Sequence, residues 1–173
     1  MSFFRSFIVD EINEPVWYIV GKIVNNYKYY LGSKDFEANE VFPNIYIGNI
    51  NSSLNKDELE KRGITHIISV INGCTQNYPD LNYKLVHLND DSWQNISKYF
   101  EECSNYIEQV INEGESILVH CSKGVSRSVT IVLAYLIIKK GYSLDQALIK
   151  IKEKRSIINP NKGFLDQLRK LNP

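Results

Sequence analysis

Cysteine is scarce in this 173-residue chain: Cys74, Cys103 and Cys121 are an odd number that cannot pair completely, and none stands in a CxxC or other metal-ligand spacing. That excludes a disulfide framework and a cysteine-built metal centre, and a reducing compartment, cytoplasmic or nuclear, is expected. Long hydrophobic runs are missing as well. The longest, Ile131 to Ile138, is far too short to cross a bilayer. The N-terminus reaches Asp10, Glu11 and Glu14 before an apolar segment develops, so no signal peptide is expected. Position 2 is serine and the chain ends Leu171-Asn172-Pro173, which carries no myristoylation or prenylation signal, so no stable membrane anchor is expected. Net charge is also absent: twenty Lys plus Arg balance twenty Asp plus Glu, and no nucleic-acid partner is expected.

What is present is an ordinary globular composition, 43% apolar and 23% charged, in a chain long enough for one domain with a real core. The zero total hides an asymmetry. Residues 121–173 hold eleven basic and three acidic side chains, a net of +8, and residues 1–120 carry the compensating −8. A cationic block of this kind suits a site for anionic substrates.

Two regions separate along the chain. Residues 14–31 place Val16, Val20, Ile23, Tyr27 and Tyr30 at four-three spacing, which predicts one amphipathic helix with Pro15 in its first turn and Gly32 after its last. Its stripe serves either intramolecular docking on the body of the chain or self-association. With the polar connector at 33–40, residues 1–38 form an N-terminal helical extension, and 39–173 form the main domain. There, strands are expected at 44–50, 64–71, 83–88 and 116–120. Helices are expected at 53–62, 96–111, 128–140, from the capping box Ser143-Leu144-Asp145-Gln146 onward, and from about Asn161 to Leu171. Alternating strands and helices predict an α/β fold: a central, mainly parallel sheet flanked by helices on both faces.

Chemistry concentrates at His120-Cys121-Ser122-Lys123-Gly124-Val125-Ser126-Arg127-Ser128, between the last strand and the enclosed helix. A strand, a tight turn and a helix N-terminus in that order form an anion cradle, because backbone N–H groups of Ser122 to Arg127 converge where the helix dipole adds positive charge. Phosphate is the natural occupant. Gly124 frees the turn from Cβ constraints, and Arg127 offers a planar fork for two phosphate oxygens. A cysteine at the floor of such a cradle has its thiolate stabilised, so Cys121 is a candidate nucleophile for phosphoryl transfer, and Ser128 is placed to donate to its sulfur. Lys123 and Val125 complete the loop, with Lys123 raising the local potential. His120 either orients the loop through its ring nitrogens or is a satisfied histidine at a strand end.

The segment VHCSKGVSRSVT resembles the H-C-x5-R-[ST] signature of the cysteine-dependent protein tyrosine phosphatases, and its G-x-S-R-S ending is similar to the dual-specificity branch, small atypical type. ANEVFPNIYIGN, KRGITHIISV and NPNKGFLDQLRKL extend the likeness over most of residues 40–171. The resemblance implies a protein tyrosine phosphatase-like fold, a cysteinyl-phosphate intermediate, no cofactor or metal, and a phosphorylated protein as the substrate partner. It also implies a general acid about thirty residues ahead of the cysteine. In Asn89-Asp90-Asp91-Ser92-Trp93-Gln94-Asn95 the match falls on Asp90, with Asp91 the competitor and Trp93 either an anchor of this loop or a semi-exposed packing residue. Arg155 aligns with a basic residue that approaches a second substrate phosphate in some relatives; otherwise it lies on a solvated helix face. A phosphate-binding scaffold without turnover, or a phosphatase for non-protein phosphate esters, are the other readings. The first would lack one of Cys121, Arg127 and the acid, and all three residue types are present.

Overall fold

The computed structural model describes residues 35–171. The helix expected at 14–31, with its docking or self-association, lies outside the described residues.

Five strands form one sheet in the order β1-β2-β5-β3-β4. β1 (Asn39–Phe42) pairs antiparallel with β2 (Ile45–Gly48), and every other pairing is parallel. The expected strand at 44–50 is therefore the second arm of a hairpin. Its first arm, NEVF, falls partly within what the sequence reads as polar connector, because three of its four residues are not buried and show no clean alternation. The hairpin turns at Asn44, the only non-glycine residue with positive φ among those described, at 63°. Asparagine tolerates this conformation, and its N–H is held by Glu40 Oε1 at 2.9 Å.

β5 (Ser116–His120) is the central strand, buried at all five positions between β2 and β3. That burial on both faces explains why ILVH reads as a continuous apolar run instead of an alternating one. β3 (Ile64–Val70) and β4 (Asn82–Val86) complete the sheet. The helix expected at 53–62 is two short ones, α1 (Ile50–Ser53) and α2 (Lys56–Lys61). The side chains of Asn49 and Asn55 each accept an N–H of the turn that follows, so two separate N-caps replace one continuous helix.

The remaining helices follow the expected order. A 3-10 turn at Ser97–Tyr99 leads into α3 (Phe100–Asn112). α4 (Arg127–Lys140) is buried from Arg127 through Ile137 and ends on Gly141 in the left-handed conformation. α5 (Leu144–Lys154) opens on the expected capping box, with Ser143 Oγ accepting from Gln146 N and Gln146 Oε1 accepting from Ser143 N. α6 (Lys162–Leu168), capped by Asn161, runs into a last 3-10 turn at Arg169–Leu171.

Two apolar clusters cover the sheet. The larger one joins Ile45, Ile47, Ile68, Ile117 and Val119 to Cys103, Ile107, Leu133 and Phe164, and the smaller joins Leu118 and Ile67 to Leu59 and Ile64. Ile67 and Ile68, like Leu118 and Val119, point to opposite faces, as a pleated strand requires. Each such side chain contributes ~1.5–3 kcal/mol when fully buried. The consequence for the site is rigidity: the sheet and α4 hold both ends of the loop at 121–126.

Candidate active site

The loop leaves the C-terminal end of β5 and enters the N-terminus of α4, where the parallel strands end and ligands of open α/β sheets bind. Cys121 is 1% exposed, and its Sγ accepts from Gly124 N at 3.2 Å and from Ser128 Oγ at 3.3 Å. Burial alone would raise its pKa. The Ser128 hydroxyl, the Ser128 and Gly124 backbone amides and the Arg127 charge outweigh that burial, and the pKa is lowered. The other two thiols lack these donors, and burial raises both, Cys103 to about 12. Cys103 and Cys121 are both buried, yet their pKa values move in opposite directions, and Cys121 is the thiol whose surroundings favour the thiolate.

Arg127 is buried. Its Nη1 donates to the Leu88 carbonyl at 3.0 Å and its Nη2 to Ser122 Oγ at 3.0 Å. Its Nε has no hydrogen-bond partner in the protein and lies 3.9 Å from Asp90 Oδ2. A buried, unsatisfied guanidinium N–H beside an anion cradle is a donor prepared for a ligand oxygen. Asp90, Cys121, Ser122, Lys123, Val125, Ser126, Arg127, Asn159 and Asn161 surround a cavity of about 530 Å3.

Asp90 and Asp91 are separated by this geometry. Asp90 Oδ1 accepts from Ser126 Oγ at 2.7 Å and from Asn161 Nδ2 at 2.8 Å, and Asp90 lines the cavity. Asp91 does not line it; its backbone carbonyl closes a turn with Gln94 N at 3.0 Å. Trp93 is 78% exposed, so it packs neither as an anchor nor as a half-buried residue. The loop is instead braced by α6. Gln167 Oε1 accepts from Ser97 N, its Nε2 donates to the Gln94 carbonyl, and a Cβ on Gly163 would overlap the Ser92 carbonyl.

His120 Nε2 meets Ser69 Oγ on the neighbouring strand at 2.7 Å, and burial pushes its pKa down to about 4, so the ring is neutral. Arg155 departs from both expectations. It is 4% exposed, which rules out a solvated face, and it lines no part of the cavity at Cys121. Its Nε donates to the Gly124 carbonyl at 2.8 Å, Nη2 to the Lys123 carbonyl at 3.3 Å, and Nη1 to the Glu37 carbonyl and Asn39 Oδ1. The guanidinium is committed to the back of the loop and leaves no fork for a second phosphate. Lys123 itself is exposed at the mouth.

Sequence reasoning missed Asn161 and Ser69 as parts of this assembly. Asn161 carries a readable signal, an N-cap residue ahead of an amphipathic stretch, but nothing local links it to Asp90. Ser69 carries none.

A thiol whose pKa is lowered by amides and a hydroxyl, at the end of a parallel strand and under a buried arginine, is an arrangement suited to hold an oxyanion against a sulfur nucleophile. The model of the dual specificity phosphatase catalytic domain matches residues 45–172. Dual specificity protein phosphatase 1 of Arabidopsis thaliana is 42% identical over 128 residues, 73% of this chain and 65% of that protein. Dual specificity protein phosphatase 22-A of Danio rerio is 41% identical over 131 residues, 76% of this chain and 63% of that protein. The chain thus spans just under two thirds of the length of these relatives. The crystal structure of DUSP15 superposes with a TM-score of 0.75 at 36% identity, covering 79% of this chain and 87% of that one. The chain belongs to the dual specificity phosphatase family.

Proposed function

We propose that the protein hydrolyses phosphotyrosine and phosphoserine or phosphothreonine esters in phosphorylated proteins through a cysteinyl-phosphate intermediate. The observation that carries this reading is the geometry of the loop: Cys121 Sγ accepts from Gly124 N and Ser128 Oγ beside a cavity that Arg127, with an unpartnered Nε, and Asp90 also line, and the lowered pKa of Cys121 agrees with it. The Cys121 thiolate attacks phosphorus and forms the S–P bond. Amide N–H groups of Ser122 to Arg127 and the Arg127 guanidinium hold the equatorial oxygens, where charge is spread in a loose transition state. Asp90 gives its proton to the ester oxygen as the P–O bond breaks and the electron pair stays on that oxygen. In the second half, water attacks phosphorus, Asp90 takes the water proton, and the S–P electron pair returns to sulfur, where Ser128 donates to it.

The experiment is hydrolysis of matched phosphotyrosine and phosphothreonine peptides by wild type, Cys121→Ser, Asp90→Asn and Asp91→Asn. Loss of turnover with retained peptide binding is expected for Cys121→Ser, and a loss of ~10²–10⁴-fold for Asp90→Asn. Asp91→Asn should be mild. Turnover surviving in Cys121→Ser would remove the nucleophile, and a reversed order of the two aspartates would move the acid by one position.

A further inference from the structure

The carboxyl group of Asp90 is asymmetric in its surroundings. Oδ1 takes two donors, Ser126 Oγ at 2.7 Å and Asn161 Nδ2 at 2.8 Å, whereas Oδ2 faces Arg127 Nε at 3.9 Å. Neither donor can reverse its role. Asn161 Oδ1 is engaged as the N-cap of α6, accepting from Phe164 N at 3.0 Å, which leaves only the NH2 end of the amide for Asp90. The Asn161 backbone N–H donates to Ser126 Oγ at 3.1 Å, so the hydroxyl accepts there and sends its single hydrogen to Asp90. One helix cap thereby fixes the orientation of both donors.

A carboxyl oxygen that already accepts two hydrogen bonds has both lone pairs occupied, and a proton placed there would expel one donor. We infer that Asn161 is a positioning residue that holds the Asp90 carboxyl so that the transferable proton resides on Oδ2, the oxygen on the Arg127 side of the cavity. The inference rests on the reading of Asp90 as the acid. In the first step the Oδ2–H bond breaks and the proton passes to the ester oxygen, which keeps the electron pair of the broken P–O bond. In the second the proton lost by the attacking water returns to Oδ2. Rotation of the carboxyl would exchange the two oxygens and present an unprotonated one to the leaving group, so the lock keeps the proton on the productive side.

Asn161→Ser and Asn161→Asp separate this role from capping. Both keep an N-cap oxygen for Phe164 N, yet serine is too short to reach Asp90 and an ionised aspartate has no donor. The full chain is assayed for kcat/KM on p-nitrophenyl phosphate, whose leaving group departs readily, and on phenyl phosphate, whose leaving group needs the proton. Asp90→Asn is run in parallel. Both Asn161 variants should lose ~10-fold or more on phenyl phosphate and far less on p-nitrophenyl phosphate. Melting temperature should stay near wild type in Asn161→Ser, the variant that adds no charge to the cavity, and its vanadate affinity should fall far less than its kcat/KM on phenyl phosphate. An equal loss on both esters, or none on either, overturns the inference while leaving Asp90 as the acid, provided that Asp90→Asn shows the leaving-group dependence. If Asp90→Asn lacks it, the acid assignment fails, and the positioning role fails with it.

Discussion

Gly124 lies so close to Gly48 that a Cβ on it would sit 2.5 Å from the Gly48 carbonyl oxygen and 2.7 Å from Arg155 Nη2. The first of these contacts is with backbone at the end of β2, which cannot swing away. Gly124 also has φ of 67°, where an L-residue costs ~1–2 kcal/mol. The same residue donates its N–H to Cys121 Sγ and gives its carbonyl to Arg155.

Gly124→Ala should therefore push the loop off β2 and move its amides away from the phosphate. A displacement on the scale of 1 Å is expected to lower kcat/KM by ~10²-fold. Steady-state kinetics and a thermal melt check this, with a lower melting temperature expected alongside. Wild-type behaviour in both would show that the turn tolerates a side chain.

Ser128→Ala should raise the pKa of Cys121. Burial already opposes the thiolate, and the Ser128 hydroxyl is foremost among the groups that outweigh it. Turnover needs the thiolate, so its loss begins as pH falls through the thiol pKa. Raising that pKa moves the acidic limb of the kcat/KM profile to higher pH. The pH dependence of iodoacetate alkylation should move in the same direction, and an unmoved limb would assign the lowered pKa to the amides and Arg127 alone.

Arg155→Met should destabilise the protein by roughly 1–3 kcal/mol, since the Gly124 and Lys123 carbonyls lose a buried charged donor. Activity should fall equally on singly and doubly phosphorylated peptides, because the guanidinium supports the loop from behind. A loss confined to the doubly phosphorylated peptide would return Arg155 to the role of a second-phosphate contact.

The strand Ser116–His120 and the capping box at Ser143 are where reading and structure agree to the residue. Both are local. A strand buried on two faces shows itself as an unbroken apolar run, and a capping box closes within four residues. β1 was hidden for the opposite reason: its hydrogen bonds come from β2 across the turn at Asn44, while its own side chains are mostly polar and exposed. The break between α1 and α2 follows from competition between two asparagine caps, which the apolar spacing of 53–62 does not reveal.

The proposed nucleophile, the arginine and the serine that donates to the thiol are written into one nine-residue stretch, because strand, turn and helix start bring such neighbours together wherever the rest of the chain goes. Which carboxyl meets them, and what Arg155 does, depended on packing. The Ser126–Asp90, Asn161–Asp90 and Arg155–Glu37 contacts join residues 36, 71 and 118 positions apart. Contacts over such separations are made by the docking of helices and loops on the sheet, and no local propensity encodes them.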